Sequence, residues 1–143
     1  MYHIYELCDY IIDYVNKNDQ FVSCYKLMKL LYFIQAYSLI VKNKILFDED
    51  IIAVSYGIYI EKVHDKYKQF GTCSLYSQNK DLNKYYILND DKEIINQVIE
   101  KFKHYSNTDL MKLIQNQSPW KYSFEDKSNN HIIPIELIKS YFS

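Results

Sequence analysis

The stretch Ser23 to Lys42, SCYKLMKLLYFIQAYSLIVK, most constrains what this chain can fold into. In its first half Leu27, Leu30, Leu31 and Ile34 recur at helical spacing and share one face. From Leu30 to Val41 the apolar residues run almost all the way round. A surface helix carries one apolar stripe, whereas a helix apolar on every side has to be covered on every side. The spacing therefore predicts a central helix with the other elements packed around it. A membrane span fails on length, since spanning takes roughly 20 predominantly apolar residues. Lys26 and Lys29 close one end, Lys42 and Lys44 the other, and Gln35 sits between.

Composition narrows the class. The 143 residues suit a single domain, 1–143, long enough to bury one core without staples. Net charge is -1, so no global field draws the chain to nucleic acid or an anionic membrane. All 17 basic residues are Lys. Without Arg, the fork that grips phosphate or reads guanine is missing, and nucleic acid is not the expected partner. The 2 Gly and 2 Pro favour long helices over a turn-rich sandwich. Met1 to Val15 already holds Glu6, Asp9 and Asp13, which does not fit a secretory signal. Cys8, Cys24 and Cys73 are far apart and odd in number, so they form neither a disulfide framework nor a zinc knuckle. A reducing, cytoplasmic setting is expected.

Taken in order, Ile4 to Val15 reads as a first amphipathic helix, and Ser23 as the N-cap of the central one. Phe47-Asp48-Glu49-Asp50 is an acidic turn. Ile51 to Tyr56 has strand character, and Gly57 marks a turn with a special backbone angle. Ile60 to Phe70 reads as a helix closed by Gly71. Thr72 to Lys84 is a polar loop, and Tyr85 to Leu88 a second strand candidate. Asp90 with Glu93 resembles a capping box opening a helix to about Tyr105. Asn107 or Thr108 caps a shorter helix through Leu110, Leu113 and Ile114. A Pro119-Trp120 turn follows, then a polar loop from Glu125 to Asn130. Pro134 starts a last helix, Ile135 to Phe142. The fold class that results is mainly α, a compact helical domain around a central buried helix with a small two-stranded β element.

Catalytic patterns are sparse. His3, His64, His104 and His131 are scattered with no i, i+4 pair, and no Cys pair completes a metal set. No Gly-x-Ser-x-Gly elbow or glycine-rich phosphate loop exists. Asp90-Asp91-Lys92 resembles the acid-x-Lys element of metal-dependent nucleases, but a helix cap explains the same residues. No cofactor or metal is expected. Tyr56, Tyr59 and Trp120 lie near the Gly57 and Pro119-Trp120 turns, where loops present aromatic side chains to a partner. The competing reading makes Trp120 a plug at the bottom of the core.

From Lys26 to Tyr37, Lys-Leu-Met-Lys-Leu-Leu-Tyr-Phe-Ile-Gln-Ala-Tyr resembles the Leu-Lys-Leu-Gln-Lys-Leu-Leu-Tyr-Phe-x-Gln-x-Tyr block of the Panacea, or SocA-like, antitoxin family. The resemblance continues in order: Asp9 to Ile12; Leu46, Phe47, Glu49 and Ile51; Tyr56-Gly57; Tyr67, Lys68 and Gly71; Pro119-Trp120; and Ile138 with Tyr141-Phe142. The chain departs from the family pattern at three places. Val54 replaces a Trp, Gly57-Ile58-Tyr59 replaces Gly-Pro-Val, and Ile114-Gln115 replaces Thr-His.

The resemblance implies a non-enzymatic antitoxin of bacteria or prophages that binds a partner toxin directly, in at least one member as an adaptor to a protease. An alternative on the same scaffold is a phage-encoded inhibitor of a host defence protein, in the manner of an anti-CRISPR. The nuclease remains as a third reading. Tyr56, Gly57, Tyr59, Lys62, Pro119 and Trp120 are the expected partner-contact residues.

Overall fold

The computed structural model describes residues 1–77 and 84–143. The central helix α2, Cys24–Lys42, is buried from Cys24 to Ala36 with the exception of Tyr25 and Lys26, and again at Ser38 and Leu39. Its start is the one expected: Ser23 is extended and its Oγ accepts from the Lys26 N–H at 3.2 Å. Its end is Asn43, in the left-handed region at φ 55°, whose N–H donates to the Leu39 carbonyl at 3.0 Å. Asn tolerates this conformation better than most residues, so it closes the helix where glycine commonly would.

Gln35, the one polar residue at the middle of α2, is fully engaged. Its Nε2 donates to the Phe47 carbonyl at 2.8 Å, and its Oε1 accepts from the Leu46 N–H at 2.7 Å. A buried amide with both ends paired carries no desolvation debt and fixes the returning chain against the helix.

Helix α1, Ile4–Lys17, lays Ile4, Leu7, Cys8, Ile11, Ile12 and Val15 into the core. The antiparallel hairpin of β1, Ile52–Val54, and β2, Gly57–Tyr59, pairs Val54 with Gly57 and Ile52 with Tyr59. On the other edge of β1, Ala53 N–H donates to His131 and Ile133 N–H to Ile51, at 2.9 and 2.7 Å. Helix α3, Glu61–Tyr67, runs into a short 3-10 turn, Lys68–Phe70, which Gly71 closes at φ 54°. There follow α4, Asn89–Phe102; α5, Asn107–Gln115; α6, Ser118–Glu125; and α7, Ile135–Phe142. Helices α3, α4, α5 and α7 and strand β2 all pack on α2. Mainly helical architecture around a buried central helix, with one small two-stranded sheet, is what the sequence predicts. No helix among the described residues is long and apolar enough to cross a membrane.

Four local expectations need correction. Tyr85 to Leu88 is irregular, and the second strand is Gly57–Tyr59. Tyr85 instead sends its hydroxyl to the Asp13 carboxylate. The N-cap of α4 is Leu88, whose side chain has no acceptor to offer, and Asp90 and Asp91 lie inside the first turn, with Asp91 turned inward to Tyr2, Lys42 and Lys44. Helix α5 is capped by Ser106, which forms a reciprocal box with Asp109. Pro119-Trp120 is the first turn of α6, where Pro fits because its missing N–H would be unpaired anyway. The expected loop from Thr72 lies partly outside the described residues, at 78–83.

Candidate functional surface

The β1–β2 hairpin is held from below by three side chains. Trp120 Nε1 donates to the Gly57 carbonyl at 2.8 Å. Gln115 Nε2 donates to the Ser55 carbonyl at 2.8 Å. The Lys29 stem lies directly beneath Gly57, whose φ of 116° only glycine adopts readily. Ile58 and Ile60 are fully buried, and the Ile60 N–H meets Met28 Sδ at 3.3 Å. A two-residue turn, Ser55 and Tyr56, is thus fixed on a supported base.

Lys29 is an unusual support. It is 0% exposed, and its two hydrogen-bond acceptors are neutral: Asn107 Oδ1 at 2.8 Å and the Tyr25 carbonyl at 3.4 Å. Burial lowers its pKa to about 8, and the neighbouring Cys24 sulfur offsets only part of that loss of water. The ammonium joins α2 to the start of α5 directly under the hairpin.

Above this base four rings converge from separate elements. Tyr25 on α2 meets Tyr56 in the turn at 5.5 Å and 87°, and His64 on α3 at 6.4 Å and 59°. Tyr59 on β2 meets His64 at 5.2 Å and 51°. Tyr56 is exposed, and Tyr25, Tyr59 and His64 are half-buried. Lys62, two residues before His64 on α3 and so turned away from its side of the helix, is exposed and pairs with Glu49 at 3.2 Å. Burial, then Asp65 and Glu61, raise the pKa of the Tyr59 hydroxyl.

Of the residues expected to touch a partner, Tyr56, Tyr59 and Lys62 reach the surface, and Tyr56 and Tyr59 belong to the ring cluster. Gly57, Pro119 and Trp120 are buried. Trp120 is the core plug, stacked on Phe124 at 4.4 Å and bonded to Gly57, so it supports the face without forming it. The sequence missed Tyr25, His64 and Lys29 as parts of this site. Tyr25 and Lys29 stand four apart on one helix, but only the hairpin's return over that helix gives the spacing meaning.

The nuclease-like residues do not assemble a site of their own. The Asp91 carboxylate accepts from Tyr2 and contacts Lys42 and Lys44 at 3.4 and 3.1 Å, while the exposed Asp90 pairs with the same Lys42 at 3.4 Å. Among the described residues no group of three or more His, Cys, Asp or Glu is placed to hold a metal ion. A depression of about 490 Å³ opens beside α1 between Asp13, Asp19, Phe21 and Tyr76, and no hairpin residue lines it.

Compared with known proteins, residues 27–121 match the family described as antitoxin SocA-like, Panacea domain. That stretch runs from α2 into α6 and contains Lys29, the whole hairpin and Trp120. No curated protein and no solved structure matches the chain.

Proposed function

The chain belongs to the antitoxin SocA-like Panacea domain family, and on that premise we propose that it neutralises a protein toxin by direct contact through the hairpin face. The observation that carries this reading is the exposed ring cluster of Tyr25, Tyr56, Tyr59 and His64 on a base fixed by Lys29, Gln115 and Trp120. Aromatic residues held rigid lose little entropy on docking, and they dominate binding energy at interfaces. The mode of action is occlusion of the toxin, with handover to a protease as an elaboration of the same contact. No step of it calls for catalysis by this chain.

The test is capture from the native host with the tagged protein, followed by expression of each stoichiometric partner alone. A small partner that arrests growth alone, and is rescued by wild type but not by Tyr56→Ala/Tyr59→Ala, supports the reading. Rescue undiminished in that variant removes the hairpin from it.

A second reading keeps the face and changes the target to a host defence protein, as an anti-CRISPR does. The departures from the family pattern favour it. Val54, Ile58 and Tyr59 lie in the hairpin, and Gln115 is hydrogen-bonded to it. Differences gathered in and under one hairpin, buried Ile58 among them, support a partner other than the family's usual ones. Capture of a defence effector in place of a toxin would establish this version.

A further inference from the structure

The charges around the ring cluster are one-sided. Helix α3 carries Glu61 and Asp65 four residues apart, so both project from the same side of the helix. Both are exposed, and neither forms an ion pair with a lysine among the described residues. The two lysines of α3 are engaged elsewhere. Lys62 bonds to Glu49, and Lys66 lies 3.9 Å from Asp9 with its ammonium 4.4 Å from the centre of the Tyr5 ring. Lys29 is sealed below and offers its charge to Asn107. What this face turns outward is therefore the π-systems of Tyr56 and Tyr59, with two free carboxylates beside them.

Tyr25 meets Tyr56 at 87° and His64 at 59°, and Tyr59 meets His64 at 51°, so each pair forms a corner and not a stack. Ring faces are electron-rich, and a cation placed over one is attracted more strongly as water is excluded. Carboxylates next to such a corner add to that attraction and repel an acidic segment. Their field is already felt at the Tyr59 hydroxyl, which burial and these two acids hold above its ordinary pKa.

We infer that the hairpin face recognises a cationic side chain, Arg or Lys, presented by a protein partner, with the charge seated on the ring cluster that includes Tyr56 and Tyr59 and paired with Glu61 and Asp65. This rests on the hairpin being the docking face, and it adds the chemistry of what docks. It also disfavours nucleic acid at this surface, since phosphate would meet the same two carboxylates.

The probes are capped Arg-Gly-Arg and Glu-Gly-Glu tripeptides, titrated into the full chain and followed by NMR. The Arg peptide is expected to shift Tyr25, Tyr56, Tyr59 and His64 signals saturably, with no such shift from the Glu peptide. Glu61→Gln/Asp65→Asn should weaken binding about fivefold, and Tyr56→Leu about threefold, with near-ultraviolet dichroism unchanged. Equal shifts from both peptides, shifts mapping away from the hairpin, or an unaffected Glu61→Gln/Asp65→Asn variant would overturn the inference. Partner capture separates it from the reading beneath it. If capture requires Tyr56 and Tyr59 but not Glu61 and Asp65, the face stands and the cation falls. If the Arg peptide binds as expected while capture ignores all four residues, the cation site stands and the docking face falls.

Discussion

Lys29 occupies the space that a side chain at Gly57 would need: a Cβ built on Gly57 would sit 2.8 Å from Lys29 Cε. The two residues are therefore coupled, because the hairpin turn requires glycine both for its φ of 116° and for the lysine beneath it. Gly57→Ala is expected to destabilise by about 2 kcal/mol or more, combining backbone strain with the clash. Lys29→Ala in the same chain should recover only the clash. Urea unfolding of the two single variants and the double variant gives the coupling, and an additive result would remove the contact from the account.

Lys29 also sets a pH dependence. Its folded pKa, about 8, lies below its unfolded value near 10.5. Between those values the unfolded chain binds more protons, so stability rises with pH from about 8 to about 10, by up to roughly 3 kcal/mol. Above pH 10 the tyrosines act in the opposite sense, since burial raises Tyr10 and Tyr56 above their unfolded value. Unfolding midpoints at pH 7, 8, 9 and 10 should climb for wild type. Lys29→Met should lack the climb, and an unchanged slope in that variant would assign it to another group.

Asp91 is expected to act in the opposite direction. Burial pushes its carboxyl up, but the Tyr2 hydroxyl and Lys44 and Lys42 outweigh it, and its pKa lies below the ordinary value. Its contribution is present above about pH 4 and is lost as pH falls through the folded pKa. Asp91→Asn should cost about 2 kcal/mol at pH 7, since it leaves two part-exposed lysines and the Tyr2 hydroxyl facing a neutral amide. The cost should shrink on acidification, and a cost independent of pH down to 3 would contradict the role given to the charge.

The three thiols should separate cleanly. Cys73 is exposed, whereas Cys8 and Cys24 are buried. Burial holds the Cys8 thiol far above its usual range and pushes Cys24 up to about 11. A thiol reagent at pH 7.5 should modify one cysteine quickly and the other two only as the chain opens. Cys73→Ser should abolish the fast phase, and a remaining fast equivalent would mean that α1 or the start of α2 opens locally.

Trp120 should matter to binding without being touched. Trp120→Phe keeps the stack on Phe124 but removes the bond to the Gly57 carbonyl, at a stability cost of about 1 kcal/mol. Partner affinity should fall along with it because the turn loosens, and Tyr59→Ala should cost about 2 kcal/mol in binding with little change in folding. Calorimetry of the captured complex measures both, and a Trp120→Phe variant with full affinity would show that the turn needs no support from below.

What was legible in the sequence follows burial. The uniform apolar surround of α2 and the Ser23 cap predicted its limits closely, because both are local signals. The β2 strand was hidden for the converse reason: it is three residues long, begins with glycine, and exists only because β1 lies beside it. Asp90 and Glu93 looked like a cap because nothing in the local sequence reveals that Asp91 is drawn inward by Lys42 and Lys44. Pro119-Trp120 read as a turn because Pro signals either a turn or a helix start, and only the indole bond to Gly57 shows which. The candidate face was half legible: Tyr56 and Tyr59 belong to the hairpin around Gly57, while Tyr25 and His64 join them only through the fold.

Tyr2, just ahead of α1, and Tyr10 and Tyr14 within it reach across to α4: Tyr2 to Asp91, Tyr10 to Asn96 and Tyr14 to Glu100. The last two span an identical 86 residues, so the two helices run side by side in the same direction. On the ribosome the first helix is made long before its neighbour. At about 5–20 residues per second, Tyr10 waits on the order of 4–17 s for Asn96 to be synthesised, and longer for it to clear the exit tunnel. Throughout that interval α1 can pack on α3 but lacks α4, a period in which a protease or chaperone has access to that side of the newborn protein.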